Sequence, residues 1–151
     1  TTLLTKLIPL LNAQGIRIGV IKHSHHNIEL DNPKKDSYKL RKAGAQQTIL
    51  ASPQRTSIIV ELPQQEDSSL EQALSHLQTD NLDLVLIEGF KSRSFPKIEL
   101  RRKELDKPFL YQKDKSIIAI AADYDVALNN RNNNLEITQL DINQPEEIAA
   151  F

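Results

Sequence analysis

Runs of apolar residues that do not alternate with polar ones constrain this chain more than any other feature. A strand with one face in water alternates with period two, so an unbroken run such as Val85-Leu86-Ile87, or Ile117 to Ala122, must be covered on both sides. Ile16 to Ile21, Gln47 to Ala51, Ser57 to Leu62, Leu82 to Ile87 and Ser116 to Ala122 therefore read as strands of a largely parallel sheet. Lys97 to Arg101 alternates and reads as an exposed strand. Leu3, Leu4, Leu7, Ile8 and Leu11 form the apolar stripe of a helix over Thr1 to Ala13, stopped by Gly15. Pro9 lies inside it and costs about 3 kcal/mol unless packing compensates. Lys35 to Ala43, ended by Gly44, Ser68 to Gln78, and Pro145 to Phe151 read as further helices, and Asn129 to Asn134 as a turn-rich loop. Helices alternating with strands predict an α/β fold with helices on both faces of the sheet. The 151 residues suffice for one domain, 1–151.

Cys, Met and Trp are absent, which excludes disulfides, thiolate metal sites and cysteine nucleophiles and points to the cytoplasm. The apolar runs fall far short of the roughly 20 residues that cross a bilayer, so no membrane is expected. The net charge of −1 argues against a protein that coats nucleic acid. That sum hides blocks: Arg17 to Arg55 and Lys91 to Lys115 are mainly basic, whereas Glu61 to Glu88 holds acids and no bases. The blocks are either solvated faces or a basic rim around an anionic ligand.

Four segments carry candidate chemistry. Thr1-Thr2-Leu3-Leu4 opens a helix as the residues after a phosphate-binding Gly-Lys do, with backbone N–H groups for phosphate and the first hydroxyl for Mg²⁺. The competing reading is an ordinary N-cap. Leu82 to Lys91 is an apolar strand ending in Glu88-Gly89, the way nucleotide-binding α/β sheets present an acid at their carboxyl edge. Glu88 is the candidate Mg²⁺ or water-positioning group, and Lys91 a point charge for phosphate. His23, His25 and His26 follow a strand ending at Lys22; they read as zinc or nickel ligands, or with Lys22 as donors in a phosphate or heterocycle pocket. In Lys35-Asp36-Ser37-Tyr38-Lys39-Leu40-Arg41, Asp36 is a candidate N-cap or general base, with Tyr38 and Arg41 on one helix face.

Taken in order, Ile21-Lys22-His23-Ser24-His25-His26, Lys35-Asp36-Ser37-Tyr38 through Gly44-Ala45, and Leu86-Ile87-Glu88-Gly89-Phe90-Lys91 resemble the molybdopterin-guanine dinucleotide biosynthesis protein B (MobB) family. The resemblance extends through Ile120 to Asp123 and Leu140 to Asn143. It implies a three-layer P-loop NTPase-like fold and a GTP-binding protein, usually a homodimer. It also implies a role assisting the guanylyltransferase MobA as molybdopterin is joined to GMP. The family's first strand, glycine loop and loop lysine have no counterpart here, and Thr1 and Thr2 match the two residues after that lysine. The expectation is a native chain longer by about 15 residues, one strand plus a loop. The Asn-Lys-x-Asp of guanine readers is also absent, with Asp123 as the substitute acceptor for guanine N1 and N2.

On this reading GTP and Mg²⁺ sit at the start of the first helix, with Thr1 on the metal, Thr2 on a phosphate, and Glu88 at the metal or the attacking water. His23, His25, His26, Lys35, Asp36, Tyr38 and Arg41 line a basic cleft facing the pterin phosphate of molybdopterin or the partner enzyme. Hydrolysis is slow, as in a site that waits for a partner to supply charge. Two rivals are a metallochaperone-like GTPase built on the histidines and a non-catalytic adapter that uses the fold as scaffold.

Overall fold

The computed structural model describes residues 1–24, 28, 29, 31–62, 69–105, 107–126 and 137–151. Its elements are α1 (Thr2–Ala13), β1 (Ile18–Lys22), α2 (Asp36–Lys42), β2 (Gln47–Ser52), β3 (Arg55–Val60), α3 (Leu70–Ser75), β4 (Leu84–Glu88), β5 (Lys97–Arg101), β6 (Ile117–Ala122), β7 (Thr138–Asp141) and α4 (Pro145–Ala150). A short 3₁₀ turn, Thr79–Asn81, precedes β4.

The leucine stripe makes α1 as expected, and the helix runs through Pro9. Gly15, at φ +82°, ends it: its N–H reaches the Asn12 carbonyl and the Ile16 N–H the Leu11 carbonyl, at 2.9 and 3.2 Å. That double bond pattern needs a left-handed residue, which glycine adopts without a Cβ penalty. Leu7 and Leu11, one turn apart, are buried against Ala121 of β6 and Ile142 and Ile148 at and beyond the end of β7.

β1 and β4 pair in parallel, from Ile18 opposite Leu84 to Lys22 opposite Glu88. Arg17 pins the start of this register, its Nε and Nη2 donating to the Asp83 carboxylate at 2.9 and 2.8 Å and its backbone N–H at 2.9 Å. Both faces are covered, as unbroken apolar runs require. Ile18 and Leu86 face α1, while Ile21, Val85 and Ile87 face α3. α3 is shorter than the helix expected over Ser68 to Gln78, beginning after a capping box in which Ser69 and Gln72 bond each other's backbone N–H; Ser68 lies outside the described residues. β5, β6 and β7 form a second parallel ladder in that order. Ile120 and Ala122 pack there with Val126, Phe109 and Tyr111.

Three expectations are corrected. Gln47 to Ala51 and Ser57 to Leu62 do not join the parallel sheet; as β2 and β3 they make an antiparallel hairpin, with Ser52 opposite Arg55. Two intervening residues can close a hairpin but cannot make a parallel crossover. Lys97 to Arg101 is not an exposed strand with its apolar residues inward, because Glu99 and Arg101 are buried and Leu100 is half exposed. The Glu99 carboxylate accepts the Leu110 and Tyr111 N–H groups, and Arg101 donates to the Lys107 and Pro108 carbonyls with its guanidinium 4.3 Å from the Phe109 ring. Hydrogen bonding of this kind lets polar groups occupy the interior. Finally, Lys35, not Asp36, is the N-cap of α2, and it makes no side-chain capping bond. β7 was not anticipated, since Thr-Gln-Leu-Asp carries almost no apolar signal; it pairs with β6 in parallel while Leu140 packs into the core. The loop expected over Asn129 to Asn134 falls outside the described residues.

Candidate functional site

The parallel register brings Lys22 and Glu88 to adjacent positions at the carboxyl ends of β1 and β4. α1 contributes the third member. Its start places the Thr1 hydroxyl 3.0 Å from Glu88 Oε1 and 3.3 Å from Oε2. Lys22 Nζ lies 3.6 Å from Glu88 Oε1 and 3.4 Å from the Thr1 hydroxyl. The Thr1 hydroxyl, and then Lys22, hold the Glu88 carboxyl below its ordinary pKa, so it is ionised at neutral pH. A hydroxyl and a carboxylate converging in this way are hard oxygen donors, the set that Mg²⁺ takes, and they sit at a helix start suited to phosphate. The residues fit a magnesium-bound nucleotide phosphate on that ground.

His23 is in the same place but turns elsewhere. Its N–H donates to the Glu88 carbonyl at 2.8 Å, and its ring stacks on Phe90 with centroids 4.2 Å apart and planes at 26°. Gly89, at φ +110°, lies under it, where a Cβ would come within 2.7 Å of His23 Cβ. Phe90 was not singled out in the sequence, although a bulky residue next to Gly89 at a strand end is the signal that was there. Thr2 is the first residue of α1, exposed, its carbonyl accepting the Thr5 hydroxyl. His25 and His26 lie outside the described residues, so neither the metal nor the pocket reading of the histidines is decided by geometry.

The α2 candidates form a separate group. Arg41 does not line an open basic cleft: its side chain is 8% exposed and meets Glu61 at 2.6 Å, Glu29 at 3.0 Å and Asp31 at 3.7 Å. Three carboxylates around one guanidinium leave it a structural strut between α2, the end of the hairpin and the segment before α2. Tyr38 lies beneath two cations, with Arg41 and Lys42 at 5.9 and 5.3 Å from its ring. Asp36 points to solvent and pairs with Lys39 at 3.1 Å, and Lys35 is exposed; neither contacts Glu88. Lys91 is exposed, its carbonyl accepting from Lys97 Nζ.

Asp123, at the end of β6, lines a cavity of about 430 Å³ with Tyr124, Asp125, Gln139 and Asp141. Its two carboxylate oxygens already accept the Lys103 N–H at 2.9 Å and Arg102 Nη1 at 3.3 Å. Those bonds lower its pKa, the Lys103 N–H foremost, and compete with any donor from a purine.

A family described as molybdopterin guanine dinucleotide synthesis protein B matches residues 1–123. A protein of Escherichia coli (strain K12) named molybdopterin-guanine dinucleotide biosynthesis adapter protein is 47% identical over 152 residues, spanning 100% of this chain and 83% of that protein. The adapter protein of the same name from Haemophilus influenzae is 43% identical, over 100% of this chain and 79% of its own length. A crystal structure titled molybdopterin-guanine biosynthesis protein B superposes with a TM-score of 0.71 at 25% identity, covering 99% of this chain and 88% of that one. Bacillus subtilis MobB, at 22% identity and a TM-score of 0.70, shares the fold.

Proposed function

The chain belongs to the molybdopterin guanine dinucleotide synthesis protein B family, and from that premise we propose that it is an adapter in molybdopterin guanine dinucleotide synthesis, working through a magnesium-bound GTP at Thr1, Lys22 and Glu88. The single observation that carries the nucleotide part is the Thr1 hydroxyl on the Glu88 carboxylate at a helix start, with Lys22 alongside. Bound Mg²⁺ would supply charge neutralisation at the phosphates. The chain's own residues do the rest. Thr1 and Glu88 would offer oxygens to the metal, Lys22 would offer a point charge to phosphate oxygen, and the first N–H groups of α1 would donate to the same anion.

Among the described residues the side-chain cation paired with Glu88 is Lys22, with no arginine. A site without arginine to meet transition-state charge turns over slowly, which suits a protein whose nucleotide state is read by a partner. The guanylyltransferase MobA is that partner in this reading, with molybdopterin passing between the two. A second copy of the chain covers the β2–β3 hairpin, where the cross-strand pair Ile49 and Ile58 is 65% and 54% exposed.

The test is calorimetric titration of GTP with Mg²⁺ into this chain and into a version extended ahead of Thr1 by a strand, glycine loop and lysine of the family pattern. Binding by either protein, abolished by excess chelator, supports the nucleotide reading. Binding by neither leaves the adapter role without it, and affinity for MobA would then be the same with and without GTP.

A further inference from the structure

The ladder between β1 and β4 ends at Lys22 and Glu88, and one more rung follows it, from the His23 N–H to the Glu88 carbonyl at 2.8 Å. Beyond that rung the chain after β4 turns through two consecutive left-handed residues, Gly89 at φ +110° and Phe90 at φ +49°. Positive φ is ordinary for glycine but strained for a bulky side chain, and such strain persists where surrounding contacts over-determine it. Two contacts do so here. Phe90 is 8% exposed in a cluster with Ile21 and Leu70, and its ring stacks on the half-buried His23 ring at 4.2 Å. Gly89 is needed for the same approach, since a Cβ there would stand 2.7 Å from His23 Cβ and 3.3 Å from the His23 carbonyl.

We propose that His23 is a positioning residue whose ring, stacked on Phe90 across Gly89, locks the chain leaving β1 to the chain leaving β4. The residues just before the lock are Lys22 and Glu88, so the lock holds the open end of the register that pairs them beside Thr1. The consequence for ligand binding rests on the nucleotide reading above; the lock itself does not. To this contact His23 supplies a flat ring stacked on an aromatic neighbour. Phenylalanine can replace that contribution, and alanine cannot.

The experiment compares the wild-type chain with His23→Ala, His23→Phe and Gly89→Ala. Amide hydrogen exchange is followed by NMR at residue 23 and calorimetric affinity for Mg²⁺–GTP is measured, with thermal denaturation to confirm folding. The lock predicts that His23→Ala speeds exchange at residue 23 and weakens Mg²⁺–GTP about tenfold, the lower end of what losing a group that supports metal ligands costs. His23→Phe recovers both, and Gly89→Ala behaves like His23→Ala. Unchanged exchange in His23→Ala overturns the lock. Faster exchange with unaltered affinity, or failure of His23→Phe to recover either readout, overturns the positioning role. If the wild-type chain binds no Mg²⁺–GTP, the nucleotide reading falls, and exchange at residue 23 alone decides the lock.

Discussion

The Thr1 hydroxyl lies 3.0 Å from the Glu88 carboxylate across 87 positions of sequence. The contact exists because α1 packs along β4 through Leu7, Leu11 and Leu86, which brings the first turn of the helix to the end of the strand. Glu88→Gln keeps the shape and one acceptor oxygen but removes the charge. Single-turnover GTP hydrolysis should fall about a hundredfold or more, the usual contribution of a positioned acid or base, and calorimetric affinity for Mg²⁺–GTP should weaken as well, since the metal loses a charged oxygen ligand. Unchanged turnover would remove Glu88 from the chemistry.

Acid sensitivity should be traceable to Asp114. Lys97 Nζ at 2.5 Å, foremost, and then the Ser116 hydroxyl and N–H pull its pKa down to about 2. Because the folded value lies below the ordinary one of 3.8, the contribution to stability is fully present above that value and is lost as pH falls toward 2. Asp114→Asn should therefore be less stable than wild type at pH 7 and close the gap as pH drops below 4. Urea midpoints measured across that range check the convergence.

Ile120 is fully buried in β6 beside Val126. Ile120→Ala should cost about 3 kcal/mol through lost burial and the cavity left behind, with an unchanged urea m-value. Pro9 is exposed within α1 and contributes no backbone donor. Pro9→Ala should stabilise the fold by about 1–3 kcal/mol, read from the same urea curves.

The hairpin carries the association prediction. Ile58→Glu places a charge on the exposed pair with Ile49. Sedimentation velocity should show wild type as a dimer and the variant shifted to monomer at the same concentration, with the thermal midpoint of the monomer little altered. A wild-type protein that sediments as a monomer would remove the second copy from the hairpin.

Much of the fold was legible because local rules and tertiary packing agree. Gly15 and Gly44 end α1 and α2 as the sequence implied, each at positive φ with the same pair of backbone bonds. The apolar runs at β4 and β6 are covered on both faces from Val85 to Ile87 and from Ala119 to Ala122, while Leu84 and Ile118 at their starts are exposed. The hairpin and β5 were misread because period and apolarity report burial only when side chains meet apolar neighbours. Ile49 and Ile58 meet few, and Glu99 and Arg101 hydrogen-bond to backbone groups of residues 107, 108, 110 and 111.

By itself the sequence determined the α/β class, the helix stops, and a carboxylate at the end of an apolar strand, since these follow from periodicity, glycine's freedom at positive φ and residue order. Tertiary structure alone decided which charged residues share a site. It set Lys22 beside Glu88 through parallel register, brought Thr1 to them through helix packing, turned His23 onto Phe90, and enclosed Arg41 among Glu29, Asp31 and Glu61. The reason is that a charge's role depends on what lies within a few ångströms of it, and long-range packing, not spacing along the chain, fixes those distances.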